Sequence, residues 1–222
     1  MSLIVIEGID GSGKSTQFKK LCAYMDERKA PYTRIAFPQY HRASSGLLTM
    51  YLNGEFGDDP NAVSAYAAST FYAVDRYASY KQVWGEAYRN GATVLADRYV
   101  TSNAVHQGAK LEGKEREAFF RWLDEFEHDL MELPRPDIVL YMETPLEIAL
   151  ANMKKRQAET NTSADIHEAG ETYLKRCLET AQAAAACYGW HMIPCAKDGK
   201  MRDAEDIHLE ILDILFAGAF LR

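Results

Sequence analysis

The stretch GIDGSGKST at 8–16, directly behind the apolar run LIVIE at 3–7, constrains this chain more than any other feature. Gly8, Gly13, Lys14 and Ser15 fill the pattern GxxxxGK[ST], with a strand-like run before it and a helical pattern carrying Phe18 and Leu21 after it. Glycines let successive backbone N–H groups turn inward, and the N-terminus of the following helix adds a partial positive charge. The result is a nest for a polyphosphate, walled by Gly8, Gly11, Ser12, Gly13, Lys14, Ser15 and Thr16. In such a loop Lys14 reaches the β- and γ-phosphates of a nucleoside triphosphate, and the Ser15 hydroxyl ligates Mg²⁺. Switch GTPases share the loop, but no DxxG lies outside it and no NKxD lies anywhere in the chain.

The remainder of the chain fits an α/β fold. Apolar, β-branched runs recur at 3–6, 33–37, 93–97, 137–142 and 191–194, separated by longer helical patterns. Continuous apolar strands alternating with helices predict a parallel sheet covered on both faces. Between 116 and 130, Phe119, Leu123, Phe126 and Leu130 form a core stripe; 61–84 is helical in pattern; Ile207, Ile211, Ile214 and Leu215 mark a docked terminal helix. QAETNTSAD at 157–165 is polar and aperiodic and reads as a mobile loop.

With 222 residues, 47% of them hydrophobic, the chain suits one packed domain over 1–222 and is too short for two comfortable ones. No run approaches the roughly 18 apolar residues of a membrane span, and no basic segment precedes the first apolar run, so a soluble cytoplasmic protein is expected. Cys22, Cys177, Cys187 and Cys195 form no CxxC pair and read as reduced core thiols. A formal net charge of -7 argues against binding a nucleic-acid polymer. Cations for an anionic ligand must therefore be gathered locally.

Three stretches supply them near strand ends: FPQY at 37–40, FYAVDRY at 71–77 and ADRYVTSNAVHQG at 96–108. In an open parallel sheet, ligands bind at the carboxyl ends of the strands, so all three can face the glycine loop. Asp97-Arg98 on its own also reads as a structural ion pair, and Tyr72 as a core aromatic.

Together with the GxDGxGKS loop and the LPxPD stretch at 133–137, these residues resemble the thymidylate kinases from Leu3 to about Tyr173. The resemblance implies a P-loop NTPase fold with a five-stranded parallel sheet, a short lid at about 154–168, a homodimer, and transfer of the ATP γ-phosphoryl group to dTMP. It implies that Arg76 and Arg98 hold the acceptor nucleotide beside Phe37 and Pro38, that Tyr72 stacks on the base, and that Asn103 and Gln107 read its edge. Asp10 matches the family's P-loop carboxylate at the metal and acceptor end, and Asp97 lies where P-loop enzymes hold Mg²⁺. Asp165 and Glu168 resemble an acidic pair near the acceptor.

Two positions depart from the family. Tyr40 stands where an arginine is common, with Arg42 two residues on as its substitute, and His106 replaces a tyrosine that crowds the ribose 2′ position. The glycine loop also carries no arginine at 11 or 12, so the cation over the transferring group must come from the lid, from Lys154, Lys155 or Arg156. Arg156 is preferred, because its planar fork suits phosphate oxygens. A different acceptor on the same fold, or ATP binding without transfer, are the competing readings. The second leaves Arg76 and Arg98 without a purpose.

Overall fold

The computed structural model of the chain describes residues 2–160 and 170–221. Strand β1 (Ser2–Glu7) leads through the glycine loop into α1 (Lys14–Glu27), then β2 (Tyr32–Ala36), α2 (Gly46–Leu52), α3 (Ala65–Ser79), α4 (Gly85–Arg89) and β3 (Thr93–Asp97). Helices α5 (Val100–His106) and α6 (Gly113–Asp124) precede β4 (Ile138–Glu143), α7 (Leu146–Thr160), α8 (Glu171–Tyr188) and β5 (His191–Pro194). A two-stranded ribbon, β6 (Ala196–Lys197) and β7 (Lys200–Met201), leads into α9 (Ala204–Ala217).

The five long strands pair in the order β2-β3-β1-β4-β5, all parallel, with β1 at the centre. Strand side chains alternate between faces, and β1 shows the consequence. Leu3 and Val5 pack on one side with Val94, Val139, Trp84, Phe119 and Leu123. Ile4 and Ile6 pack on the other with Leu21, Met25, Ile211 and Leu215 from α1 and α9. A third cluster joins Tyr141 of β4 to Ile9, Ala149, Tyr173 and Cys177, seating α7 and α8. The apolar runs are strands for this reason: every residue in the middle of β1 has a layer to enter.

Several boundaries differ from the sequence pattern. The helix expected over 61–84 opens at Ala65, where the Ser64 hydroxyl accepts from the Ala67 N–H, and closes in a wide π-helical turn at Tyr80–Trp84. The stripe from 116 ends early: α6 passes into a second π-helical turn, Glu125–Leu130, whose changed phase leaves Leu130 70% exposed. Residues 157–160, read as loop, continue α7, since Gln, Ala and Glu are good helix formers; 161–165 lie outside the described residues, as does the lid beyond 160. Cys187 is exposed, unlike the other three cysteines.

Candidate active site

The glycine loop leaves β1 at the centre of the sheet and enters α1 through Gly13, whose φ of 86° only glycine adopts without strain. Gly11 (φ 77°) crosses α7 so closely that a Cβ there would lie 2.1 Å from the Ala149 carbonyl oxygen. The loop is held by its carbonyls: Gly11 O accepts from Asn152 Nδ2 at 2.8 Å, and Ser12 O from Thr144 Oγ1 at 3.0 Å. Ser12 N–H donates to Ile9 O at 3.2 Å and Thr16 N–H to Gly13 O at 3.0 Å, while the N–H groups of Lys14 and Ser15, at the first two positions of α1, have no acceptor within the helix and remain for a ligand. Gly11, Ser12, Gly13, Lys14, Ser15 and Thr16 line a cavity of about 320 Å³ with Asp10, Arg156, Met201 and Arg202. Gly8 lies behind it, against Ser12 and Met142.

Strand β3 ends beside β1 and delivers Asp97, whose Oδ1 lies 3.7 Å from Lys14 Nζ. Burial, then the nearby Arg98, lower the pKa of Lys14 from its ordinary value. The next residue turns sharply. Arg98 has φ 67°, its N–H donates to Ile6 O at 3.0 Å, and its guanidinium enters a web of acceptors. Nη2 donates to Asp10 at 2.9 Å, and Nη1 to Glu7 at 3.3 Å, to Ser102 Oγ at 3.3 Å and toward His106 Nε2 at 3.2 Å. Burial alone would raise the carboxyl pKa of Asp10, but Arg98 and Lys14 overcome it and hold it well below the usual carboxylate range. Burial and then Arg98 push His106 down to about 3, so it is neutral, with Nε2 accepting and Nδ1 carrying the proton beside Cys177 Sγ.

Glu7 is the hub that sequence reading passed over. It is fully buried; it accepts from the Gly8 N–H at 2.9 Å and from the hydroxyls of Thr101 and Ser102 at 2.7 Å each, as well as from Arg98. A glutamate closing an otherwise apolar strand was the available signal, because a buried carboxylate requires partners.

A second cavity, of about 240 Å³, opens on the other side of Asp10. Pro38, Tyr40, Leu52, Tyr72, Arg98, Ser102, Asn103, His106, Gln107 and Arg156 line it with Asp10. Asp10 and Arg156 are common to both cavities, which therefore meet at these two side chains. Phe37 turns away into the core against Tyr99, at 6.1 Å between ring centroids. Arg42 is exposed and does not line the cavity, whereas Tyr40 does. The loop carrying Tyr40 is fixed from below by Asp75, which accepts from the Gln39 N–H at 2.8 Å and the Ser44 hydroxyl at 2.7 Å. Asp75 was a second unnoticed residue, visible only as the neighbour of an arginine.

Arg76 lies apart from this cavity. Its Nε and Nη2 each donate at 2.6 Å to the carboxylate of Glu127, and the pair is buried. Asn103 does reach the cavity, while its Nδ2 donates inward to Glu127 and to Ser69 O. Both amide atoms of Gln107 are buried without a hydrogen-bond partner among the described residues, as an incomplete site would leave them. Glu127 lies in the π-helical turn after α6, four residues beyond the buried Leu123, and that spacing was the signal for it. Lys154 and Lys155 are exposed and line neither cavity. Asp165 and Glu168 lie outside the described residues.

Among the described residues no group of three or more His, Cys, Asp or Glu forms a metal cage. A Mg²⁺ held largely by phosphates and water needs fewer ligands. Asp97 Oδ1, buried without a hydrogen bond, and the exposed Ser15 of the glycine loop fit that demand.

A family model described as thymidylate kinase matches residues 6–202. The chain is 30% identical over 190 residues to thymidylate kinase of Mycobacterium tuberculosis, spanning 85% of this chain and 87% of the relative. It is 28% identical over 218 residues to that of Fervidobacterium nodosum, spanning 96% and 98%. Among solved structures, thymidylate kinase of Candida albicans superposes with a TM-score of 0.72 at 20% identity, covering 98% of this chain and 92% of the other. That of Ehrlichia chaffeensis does so with a TM-score of 0.66 at 18% identity, covering 96% and 98%. The two structures establish the P-loop NTPase-like fold.

Proposed function

The chain belongs to the thymidylate kinase family, and from that premise we propose how it moves the γ-phosphoryl group of ATP onto dTMP to give dTDP and ADP. ATP occupies the cavity of the glycine loop and dTMP the neighbouring one. The observation that carries this assignment is that the two cavities meet at Asp10 and Arg156.

A dTMP phosphate oxygen attacks the γ-phosphorus; a new P–O bond forms as the bond to the ADP oxygen breaks. The attacking phosphate is already anionic near neutral pH, so the residues supply position and charge rather than a base. Arg98, aimed by Glu7 and Asp10, holds the acceptor phosphate. Lys14 neutralises the β- and γ-phosphates. Arg156, on α7, carries a further cation to the junction and is our choice among the lid cations. Mg²⁺, held by Ser15 and Asp97 with Asp10 nearby, would supply Lewis-acid neutralisation of the donor phosphates. Tyr72 offers a face for the base, Asn103 and Gln107 offer amides to its edge, and Arg76 acts on the site through Glu127. Asp165 and Glu168 complete the acceptor end, and Pro38 and Tyr40 its rim. Arg42 points outward and takes no part in this scheme. A cytoplasmic homodimer is the form we propose, supported by the free cysteines and by the apolar outer face of α3.

The test is ATP-dependent ADP release across a panel of nucleoside monophosphates, with dTMP preferred. In Lys14→Ala, kcat should fall by at least about 10²-fold, the scale of a lost transition-state charge partner, with thermal unfolding unchanged. Near-normal kcat in the folded variant would remove the glycine loop from the mechanism.

A further inference from the structure

The buried pair beneath the acceptor cavity includes a carboxylate that touches neither nucleotide cavity. Glu127 accepts from Arg76 at 2.6 Å on each oxygen, and its Oε1 also accepts from Asn103 Nδ2 at 3.1 Å. A second acceptor, the Ser69 carbonyl, lies 3.2 Å from the same nitrogen. With acceptors on both sides, only the amide nitrogen can face inward, so the Asn103 side chain cannot turn over. Its Oδ1 is thereby left to the cavity that Asn103 lines. Gln107 is the opposite case: neither amide atom is engaged by a described residue, so it can present a donor or an acceptor as a ligand demands. Of the two amides, only Asn103 has a fixed polarity.

We propose that Glu127 is a specificity-determining positioning residue, which selects thymine-type over cytosine-type bases by locking Asn103 with its carbonyl oxygen toward the base. The proposal rests on the reading of this cavity as the dTMP site. Thymine and uracil carry an N3–H that donates to a carbonyl oxygen. Cytosine carries a bare N3 lone pair at that place, which would meet the Asn103 oxygen as acceptor against acceptor. A locked acceptor therefore rejects cytosine, while the thymine methyl group is judged elsewhere in the cavity.

The experiment measures kcat/KM for dTMP, dUMP and dCMP in wild type and in Glu127→Gln, which removes the charge and offers Asn103 a donor. The dTMP:dCMP ratio should fall by about tenfold or more, because releasing a matched polar contact relaxes discrimination. The dTMP:dUMP ratio should stay within about twofold, since the two bases present the same N3–H. A purely structural role would lower all three rates together and leave both ratios intact, and that result would overturn the proposal. Should Glu127→Gln fail to fold, Arg76→Met/Glu127→Leu replaces both buried charges by apolar groups, a change that buried ion pairs tolerate, and it must show the same fall. A wild type that does not phosphorylate dTMP would overturn the substrate reading itself; an active wild type with an unmoved dTMP:dCMP ratio in the variants would overturn only the role of Glu127.

Discussion

Arg98 adopts a left-handed backbone conformation, φ 67°, that costs a residue with a Cβ roughly 1–2 kcal/mol. The hydrogen bond from its N–H to Ile6 O and the contacts to Glu7 and Asp10 offset that cost and hold the guanidinium at the wall of the second cavity. If it holds the acceptor phosphate, Arg98→Ala should lose about 1.5–3 kcal/mol of dTMP binding, the scale of a charged hydrogen bond, with ATP affinity barely moved. Calorimetry showing the reverse would assign it to the donor. The neighbouring His106 gives a second prediction. Its ordinary pKa of 6.5 falls to about 3 in the folded chain, so below pH 6.5 the unfolded chain takes up a proton that the folded one refuses. Its neutral burial is therefore without penalty above pH 6.5 and costs stability progressively as the pH falls from 6.5 toward 3. Between pH 7 and pH 5 wild type should lose about 2 kcal/mol more than His106→Gln in urea unfolding; parallel losses would show that the histidine is protonated in place. At this scale the sequence displayed the charges but not their partners. Arg76 and Arg98 look alike in the motifs, and only the fold reveals that Glu127 engages one while the other lines the cavity.

Between elements, the contact that matters most is the glycine loop against α7. Gly11 lies so near Ala149 that no side chain fits, and Asn152 of the same helix holds the Gly11 carbonyl. Arg156 follows Asn152 by four residues, on the same side of α7, so the loop sets where this cation arrives. Gly11→Ala should push α7 outward, lower kcat and reduce the unfolding temperature, because an Ala at φ 77° is strained before any clash is counted. Unchanged kcat would mean that the seating of α7 is irrelevant to transfer. Arg156→Ala should lower kcat by at least about tenfold, ~1.4 kcal/mol of barrier, and leave dTMP affinity nearly unchanged. If all three of Arg156, Lys154 and Lys155 can be replaced without loss, no lid cation serves the reaction. Elements were legible where one period dominated. The inner strands β1, β3 and β4 are apolar runs with layers on both sides, the edge strands β2 and β5 bury only Ile35 and Ile193, and all five lie where the runs stand. Periodicity failed at Glu125–Leu130, where a π-helical turn shifts the phase, and at 157–160, where polarity suggested loop although the residues favour helix.

At the scale of the molecule, an apolar surface without a cover among the described residues runs along the outer side of α3 and α6. Tyr66, Val74 and Tyr77 stand exposed along α3, and Tyr66 packs edge-on to Trp122 of α6 at 4.7 Å between ring centroids. Trp122 stacks on Phe126 at 4.9 Å, and Leu130 beyond it is 70% exposed. In the sequence Phe126 and Leu130 read as part of a core stripe, because amphipathic spacing does not say whether the covering layer belongs to the same chain. A contiguous apolar face of this kind marks an interaction site. In the homodimer proposed above, a second copy related by a two-fold axis would cover it with its own equivalent. The inner side of α3 carries Tyr72, which lines the acceptor cavity, and Asp75, which fixes the loop bearing Tyr40. Packing on the outer side thus bears on the acceptor wall through one helix. Val74 is half exposed, at 52%, and makes a clean probe, since a charge there costs a single chain little while a buried interface would exclude it. Val74→Asp should sediment as a monomer at micromolar concentration where wild type sediments as a dimer. Its KM for dTMP should rise several-fold, about 1 kcal/mol, while KM for ATP, bound to the glycine loop away from α3, stays level. A monomeric wild type would leave this face to some other partner. A dimer that survives Val74→Asp with both KM values unmoved would place the two-fold axis elsewhere on the surface.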